Sequence, residues 1–427
     1  MKRKPGVLLI NGVLPPPYGG IAQHMKTYLP LLAQQGYQVW TVMERFYAPH
    51  DYPEYQARGV QVLIPRDKEN PGRPFYWQRR LGLYLRYGRW MARRYMQFRE
   101  SYERVEQHLL AYLPETEALL RRHRRAIDII HVFDRPWWQG WIGQILAEKY
   151  RKKLIISVFG EVLPHEDPLA LFDATSEPFR RLATDVLQGC DRIASMTRSC
   201  AQRVRYLGLD PQKVYPLSFV SGMEEFVAPP DNLAAVFEQY PLLRGKRVVL
   251  FVGQLQARKG PDVLLRAAQR VLAQHDDVLL VIVGPDFGMR AELEQLAQTL
   301  AIAERCLFTG AVPQETLRAL YHVAEMFVFT TVSPIECLGL VFVQAMYARC
   351  PVIAANISGV PEVIRPNENG LLYEPGDVAA LRQRLLTLLA DSALRERLRA
   401  QAFADVTRQF APEVLLQQID ALYAFDT

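Results

Sequence analysis

The stretch Met326-Phe327-Val328-Phe329-Thr330-Thr331-Val332-Ser333-Pro334-Ile335-Glu336-Cys337-Leu338-Gly339-Leu340-Val341-Phe342-Val343-Gln344-Ala345-Met346 reads as a strand, a short loop and a helix. The strand is the apolar run Met326–Thr330, and an amphipathic helix is expected after Gly339. A helix that starts beside a strand's carboxyl end turns its unpaired N–H groups and the positive end of its dipole into a crevice, where a phosphate or diphosphate fits. Glu336 in the same loop would repel a bare anion, so its expected partners are neutral hydroxyls, as on a sugar. A sugar carried on a diphosphate satisfies both halves of such a site.

The same alternation of strand and helix recurs outward from this stretch. Short β-rich runs stand at Val7–Ile10, Gln38–Val42, Val60–Ile64, Ile127–Phe133, Leu154–Phe159 and Arg192–Met196. After a polar break near Ser221 to Lys246, a second series runs through Val248–Val252, Val278–Val283, Cys306–Phe308, Met326–Phe329, Val352–Ala355 and Leu371–Tyr373. Continuous apolar strands separated by helices mean parallel sheets covered on both faces. Two series predict an α/β chain of two doubly wound, Rossmann-like domains facing each other across a cleft, with ligands outside the strands' carboxyl ends.

A chain of 427 residues is long enough for two full cores. No apolar run approaches the length of a membrane span. The start, Met1-Lys2-Arg3-Lys4 before Val7–Ile10, has the charge of a secretory signal but too short an apolar part, so a buried strand is expected there. Cys190, Cys200, Cys306, Cys337 and Cys350 are odd in number and scattered, with no metal-type pairing. Buried thiols in a reducing compartment fit that pattern, and the expected location is cytoplasmic or peripheral on the cytosolic face of a membrane.

One segment breaks the rhythm. Between Arg73 and Arg99 the chain carries eight arginines, no acidic residue, and interleaved aromatics that include Trp77, Tyr84, Tyr87 and Trp90. A basic, aromatic helical surface suits peripheral contact with an anionic membrane or a lipid-linked substrate. A helix packing its aromatics on the core while its arginines stay wet fits equally well. Nucleic acid is the weaker match and is not expected.

Further loops follow strand ends. Pro15-Pro16-Pro17-Tyr18-Gly19-Gly20 leads into a helical run with His24 on its first turn, and paired glycines allow close backbone approach to a ligand. In Gly253-Gln254-Leu255-Gln256-Ala257-Arg258-Lys259-Gly260 the lysine is a candidate point-charge clamp on a diphosphate. The glycine spacing is not that of a Walker loop. Gly284-Pro285-Asp286-Phe287-Gly288 is a candidate substrate loop, and the turn Thr309–Pro313, with Val312, is placed to meet a nucleobase through its backbone.

Taken together these motifs resemble the two-domain, retaining glycosyltransferases of the GT-B fold, family four, also called group 1. Gly19-Gly20 is similar to the family's N-terminal Gly-Gly loop, and Gly253 to Gly260 to its Gly-Arg-Leu…Lys-Gly donor loop. Ser333 to Gln344 resembles the Glu-x7-Glu segment, and Ser358-Gly359-Val360-Pro361-Glu362 the Gly-Gly-x-Pro-Glu turn. Asn369-Gly370-Leu371-Leu372 with Pro375-Gly376-Asp377 resembles the closing signature. The resemblance implies an acceptor-binding domain over 1–228, with a helical insertion at about 70–125, and a donor-binding domain over 229–407. A final helix, 408–427, is expected to pack back on the first domain.

The implied activity is transfer of a hexose from a nucleotide-sugar to a glycan or lipid-linked acceptor with retention, in synthesis of cell-surface polysaccharide, glycolipid or a related glycoconjugate. The implied catalytic residues are Glu336 and Lys259. Donor binding would involve Gly19, Gly20, Gly253, Gln254, Gly284, Val312, Cys337, Leu338, Gly339, Leu340 and Gln344, with no metal and no bound cofactor. On the acceptor side the candidates are His24, Phe159, Gly160 and Glu161.

The departures are specific. Gln254 stands where the family has an arginine, with Arg258 a candidate replacement, and Gln344 stands for the second glutamate. No histidine occurs near Phe159, where Glu161 is the candidate substitute, and Leu217–Gly222 replaces the family's Asn-Gly-Val-Asp turn. Such losses also fit a weakened relative that binds nucleotide-sugar or glycan without turnover.

Overall fold

The computed structural model describes residues 3–11, 20–43, 53–64, 80–88, 90, 92, 99–133, 138–159, 177–218 and 220–425. The chain forms two compact units: one runs to Ser221 and resumes at Leu415, the other takes Gly222–Val414. The contacts change unit seven residues before the expected 228–229 boundary, because the turn Met223–Phe226 buries Met223 and Phe226 beside the helix Leu340–Tyr347 of the second unit.

The first unit is built on a seven-stranded sheet in the order β3-β2-β1-β4-β5-β6-β7. Its strands are β1 (Gly6–Asn11), β2 (Gln38–Val42), β3 (Val60–Leu63), β4 (Ile127–Phe133), β5 (Lys153–Val158), β6 (Arg192–Ser195) and β7 (Val214–Pro216). Every pairing is parallel, as continuous apolar strands such as Val7–Ile10 require. The sequence series lacks β7. That strand is three residues long, ends in proline and is only partly buried, so it carries no apolar run to read.

Helix Pro412–Tyr423 completes this unit: Leu415, Ile419, Leu422 and Tyr423 join the core formed by Val7, Leu9, Tyr28, Ile129 and Phe133. Arg192 donates to the carbonyls of Ala421, Leu422 and Ala424 at 2.7–2.8 Å. A buried polar chain runs beneath it. His131 sits between Ser157 Oγ (2.7 Å) and the Tyr423 hydroxyl (2.8 Å), which in turn meets the Tyr28 hydroxyl at 3.1 Å.

The described part of the arginine-rich segment is helical over 80–88 and packs on the helix Arg99–Arg122. Arg80 and the Tyr84 hydroxyl both reach Glu106 at 3.0 Å. Glu117 accepts from the Tyr87 hydroxyl, from Tyr150 at 2.7 Å and from Lys149 at 2.6 Å. Burial raises the Glu117 pKa, but these donors outweigh it and hold the carboxyl down at about 2. The opposite face exposes Leu81 (62 %) and Leu85 (79 %).

The second unit carries a six-stranded parallel sheet in the order β10-β9-β8-β11-β12-β13. These are β8 (Arg247–Val252), β9 (Val278–Val283), β10 (Cys306–Gly310), β11 (Ala324–Phe329), β12 (Val352–Ala355) and β13 (Leu371–Tyr373). Its core includes Val249, Phe251, Leu264, Ile282, Val328, Ile353 and Leu385. Four cysteines are buried and Cys306 is half-buried. Among the described residues no helix is long and apolar enough to cross a membrane.

Candidate functional site

The loops at the carboxyl ends of β8, β9 and β11 are laced into one platform. The Gly253 amide donates to Val283 O at 2.9 Å, the Leu255 amide to Pro285 O at 3.0 Å, and the Phe287 amide to Leu255 O at 3.2 Å. On the far side, Thr331 Oγ1 and the Val332 amide donate to Arg258 O at 2.9 and 3.0 Å, and Thr330 Oγ1 donates to Lys259 O at 2.9 Å. Gly260 follows in a left-handed conformation (φ +62°), and a Cβ there would lie 2.3 Å from Thr330 O. The backbone of Arg258 and Lys259 is therefore pinned against the exit of β11, which fixes where both cationic side chains start.

Both cations converge on Glu336. Lys259 Nζ donates to Glu336 Oε2, and Arg258 Nη1 lies 3.6 Å from the same oxygen. The three side chains are 15, 4 and 13 % exposed for Lys259, Arg258 and Glu336. Burial pushes the Glu336 carboxyl up, while the charge of Lys259, then that of Arg258, outweighs it and holds the pKa below the ordinary carboxylate range. Glu336 is thus a carboxylate at neutral pH. Gln254 Oε1 lies 3.5 Å from Arg258 Nη2 and accepts from Gln256 Nε2 at 2.5 Å.

The loop carrying Glu336 is tied to the next turn: Ser358 Oγ donates to Pro334 O at 2.7 Å and the Gly359 amide to Cys337 O at 3.0 Å. Helix Leu340–Tyr347 then starts from Gly339 at φ +77°, where a Cβ would lie 2.5 Å from Phe329 Cζ. That contact brings the helix head down onto the end of β11, beside Glu336. The helix is buried on almost every side from Phe342 to Tyr347, so it is a core helix rather than the expected amphipathic one. Gln344 is 8 % exposed, and its Oε1 lies 3.1 Å from the Tyr321 hydroxyl, whose single hydrogen is shared with Val341 O at 2.9 Å. One carbonyl lone pair and the Nε2 donors remain. Nothing in the sequence signalled Tyr321, which arrives from the helix Gln314–Val323.

The other candidates sort by place. Gly284, whose amide donates to Gly310 O at 2.9 Å, and Val312, 9 % exposed, follow β9 and β10 at the same sheet edge. The Asp286 carboxylate is turned to the amides of Gly288, Met289 and Arg290 at 2.8–3.1 Å. Asn369 is fully buried, spanning the Arg365 amide, Val363 O and Asp405 at 2.7–3.0 Å, and Asp377 caps the helix Val378–Ala390. Those two residues of the closing signature hold the fold.

Gly19, Gly160 and Glu161 lie outside the described residues. Gly20 opens the helix Gly20–Gln34. His24 is 2 % exposed, with Nδ1 at 3.1 Å from Ser221 Oγ and its ring stacked 6.2 Å from Phe133. Phe159 is buried at the end of β5 with its ring 6.1 Å from Phe133. As placed, both are packed side chains. Among the described residues no group of three or more His, Cys, Asp or Glu side chains converges as a metal site.

Comparison with known proteins agrees with this geometry. Residues 234–405 match the family model for glycosyl transferases group 1, and residues 18–217 match that for glycosyltransferase family 4. The D-inositol 3-phosphate glycosyltransferase of Acidothermus cellulolyticus is 31 % identical over 70 % of this chain and 68 % of its own length. That of Streptomyces scabiei is 32 % identical over 62 % of this chain and 60 % of its own length. Among solved structures, Anabaena HepE bound to UDP-glucose aligns over 98 % of this chain and 100 % of its own, with a TM-score of 0.71 at 18 % identity. Sucrose-phosphate synthase from Thermosynechococcus elongatus aligns over 98 % of both chains, with a TM-score of 0.72 at 20 % identity. With both family models matched and the Glu336–Lys259 pair set beside the helix head, the chain belongs to the group 1 glycosyl transferases, glycosyltransferase family 4.

Proposed function

We propose that this chain takes a hexose from a nucleoside-diphosphate sugar held by the second unit and transfers it, with retention, to a hydroxyl of a glycan or lipid-linked acceptor held by the first. The observation that carries the reading is the Glu336–Lys259 ion pair beside the head of helix Leu340–Tyr347. It joins an anion seat to a carboxylate suited to sugar hydroxyls. In this reading the helix-head amides around Leu338 to Leu340 and the Lys259 ammonium stabilise the charge that develops on the departing diphosphate. Glu336 orients the sugar, and the leaving diphosphate itself takes the acceptor's proton, so the attack comes on the face the diphosphate leaves. Catalysis then rests on positioning and on stabilised departing charge, without a protein base. The solved relative named with UDP-glucose supports a nucleotide-sugar donor.

A second acceptor class has one observation in its favour. The curated relatives are named for D-inositol 3-phosphate, which makes a phosphorylated polyol the other acceptor to test. Nucleoside-diphosphate release should be screened across nucleotide-sugars, with glycan, lipid-linked and inositol phosphate acceptors. Acceptor-dependent release from one pair is expected, with the anomeric configuration of the product retained. Glu336→Ala should abolish transfer in a protein that still melts cooperatively, and Lys259→Gln should cost about 10²–10³-fold in kcat. Tight donor binding without turnover on any pair would instead favour the non-catalytic binder, and an inverted product would remove retention.

A further inference from the structure

The donor platform holds two cations on one carboxylate, and only one of those cations has a role in the reading above. Arg258 is 4 % exposed, close to the burial of a core residue, with its guanidinium 3.6 Å from Glu336. Fully buried arginines are rare and need compensation by an anion. Here Glu336 presents one carboxylate oxygen to both Arg258 and Lys259, and the Gln254 oxygen beside the guanidinium is neutral. A carboxylate engaged by two cations is poorly placed to accept from sugar hydroxyls.

We infer that Glu336 serves as an internal counter-ion in the donor-free site, and that the donor's diphosphate replaces it on both Arg258 and Lys259, releasing the carboxylate to the sugar. The inference rests on the proposed donor site. It assigns to Arg258 a direct contact with diphosphate and makes it the second cation of the clamp. The exchange conserves charge pairing: each cation trades a carboxylate oxygen for a phosphate oxygen, and Glu336 trades cations for neutral hydroxyl donors. The backbone need not move, because the carbonyls of residues 258 and 259 stay tied to Thr330, Thr331 and Val332. Only side-chain rotations of the two long cations are required. Sugar and diphosphate recognition become coupled, since the carboxylate is freed as the phosphates arrive.

The coupling predicts an effect of opposite sign for residues on the two sides of one ion pair. UDP, ADP and GDP are titrated calorimetrically into the native protein, and the one that binds is used throughout. Glu336→Gln should bind that nucleoside diphosphate about tenfold more tightly than the native protein, because the competing carboxylate is gone. Arg258→Gln and Lys259→Gln should each bind it about tenfold more weakly, with Arg258→Lys recovering part of the loss. The nucleotide should also raise the melting temperature of Glu336→Gln by more than it raises that of the native protein, which checks that the variant is folded and occupied. Unchanged or weaker binding by Glu336→Gln, or unchanged binding by Arg258→Gln, overturns the exchange even where Lys259→Gln keeps the donor-site reading intact. A native protein that takes none of the three nucleotides overturns both.

Discussion

At the scale of single residues, the site departs from its family in ways that geometry makes measurable. Gln344 stands where the family's second glutamate is expected, and its Oε1 shares the Tyr321 hydroxyl with Val341 O. Gln344→Glu adds a charged acceptor at the same place while keeping the Tyr321 donor. It is expected to tighten binding of the accepted nucleoside diphosphate about three- to tenfold, read by calorimetry. An unchanged affinity would show that residue 344 does not reach the bound nucleotide. Glu336, Lys259 and Gln344 were legible in the sequence as candidates because their spacing to Gly339 and Gly260 is local. Their partners were not. Tyr321 and the Arg258–Glu336 approach depend on which helix packs beside which strand, and no spacing within one segment records that.

Among elements, strands read as continuous apolar runs where they are buried on both faces, and β7, short and half-exposed, was invisible for the opposite reason. The buried polar chain through β4 and β5 shows what a strand pattern hides. His131 in Ile127–Phe133 is fully buried, and burial lowers its pKa from 6.5 to about 3. The unfolded chain takes up a proton below pH 6.5 that the folded one refuses. Stability from this group is therefore complete above pH 6.5 and falls as pH drops toward 3, by about 1.4 kcal/mol per unit. Urea midpoints at pH 7 and pH 5 should differ more for the native protein than for His131→Gln, and equal differences would show that His131 does not titrate with unfolding. The basic aromatic helix was legible as a surface but not as to what it covers. Its described arginines and tyrosines turn to Glu106 and Glu117, whereas Leu81 and Leu85, four residues apart on one face, stay exposed. If that face touches lipid, the native protein should co-sediment with anionic phosphatidylglycerol vesicles at low salt, and Leu81→Ser with Leu85→Ser should reduce it. Native protein left in the supernatant would settle the segment as packing alone.

At the scale of the whole molecule, the helix Pro412–Tyr423 ties chain order to stability. Its four buried side chains, Leu415, Ile419, Leu422 and Tyr423, contribute about 6–12 kcal/mol of apolar burial at ordinary rates, comparable with the net stability of a domain. A chain stopped after Phe410 should lose the cooperative unfolding transition of the first unit and keep that of Gly222–Val414, visible as one melting transition where the full chain gives two. Two transitions in the shortened chain would show that the helix is dispensable. The same arrangement bears on synthesis. Among the described residues the second unit is one continuous stretch, whereas the first stays open until residues 415–425 have been added, some 193 residues (Gly222–Val414) after Ser221. At about 5–20 residues per second, translation leaves the larger sheet of this protein without its last helix for roughly 10–40 s. In that interval the part made second can reach its native state first, and the ribosome's order of delivery is not the order in which the two units mature.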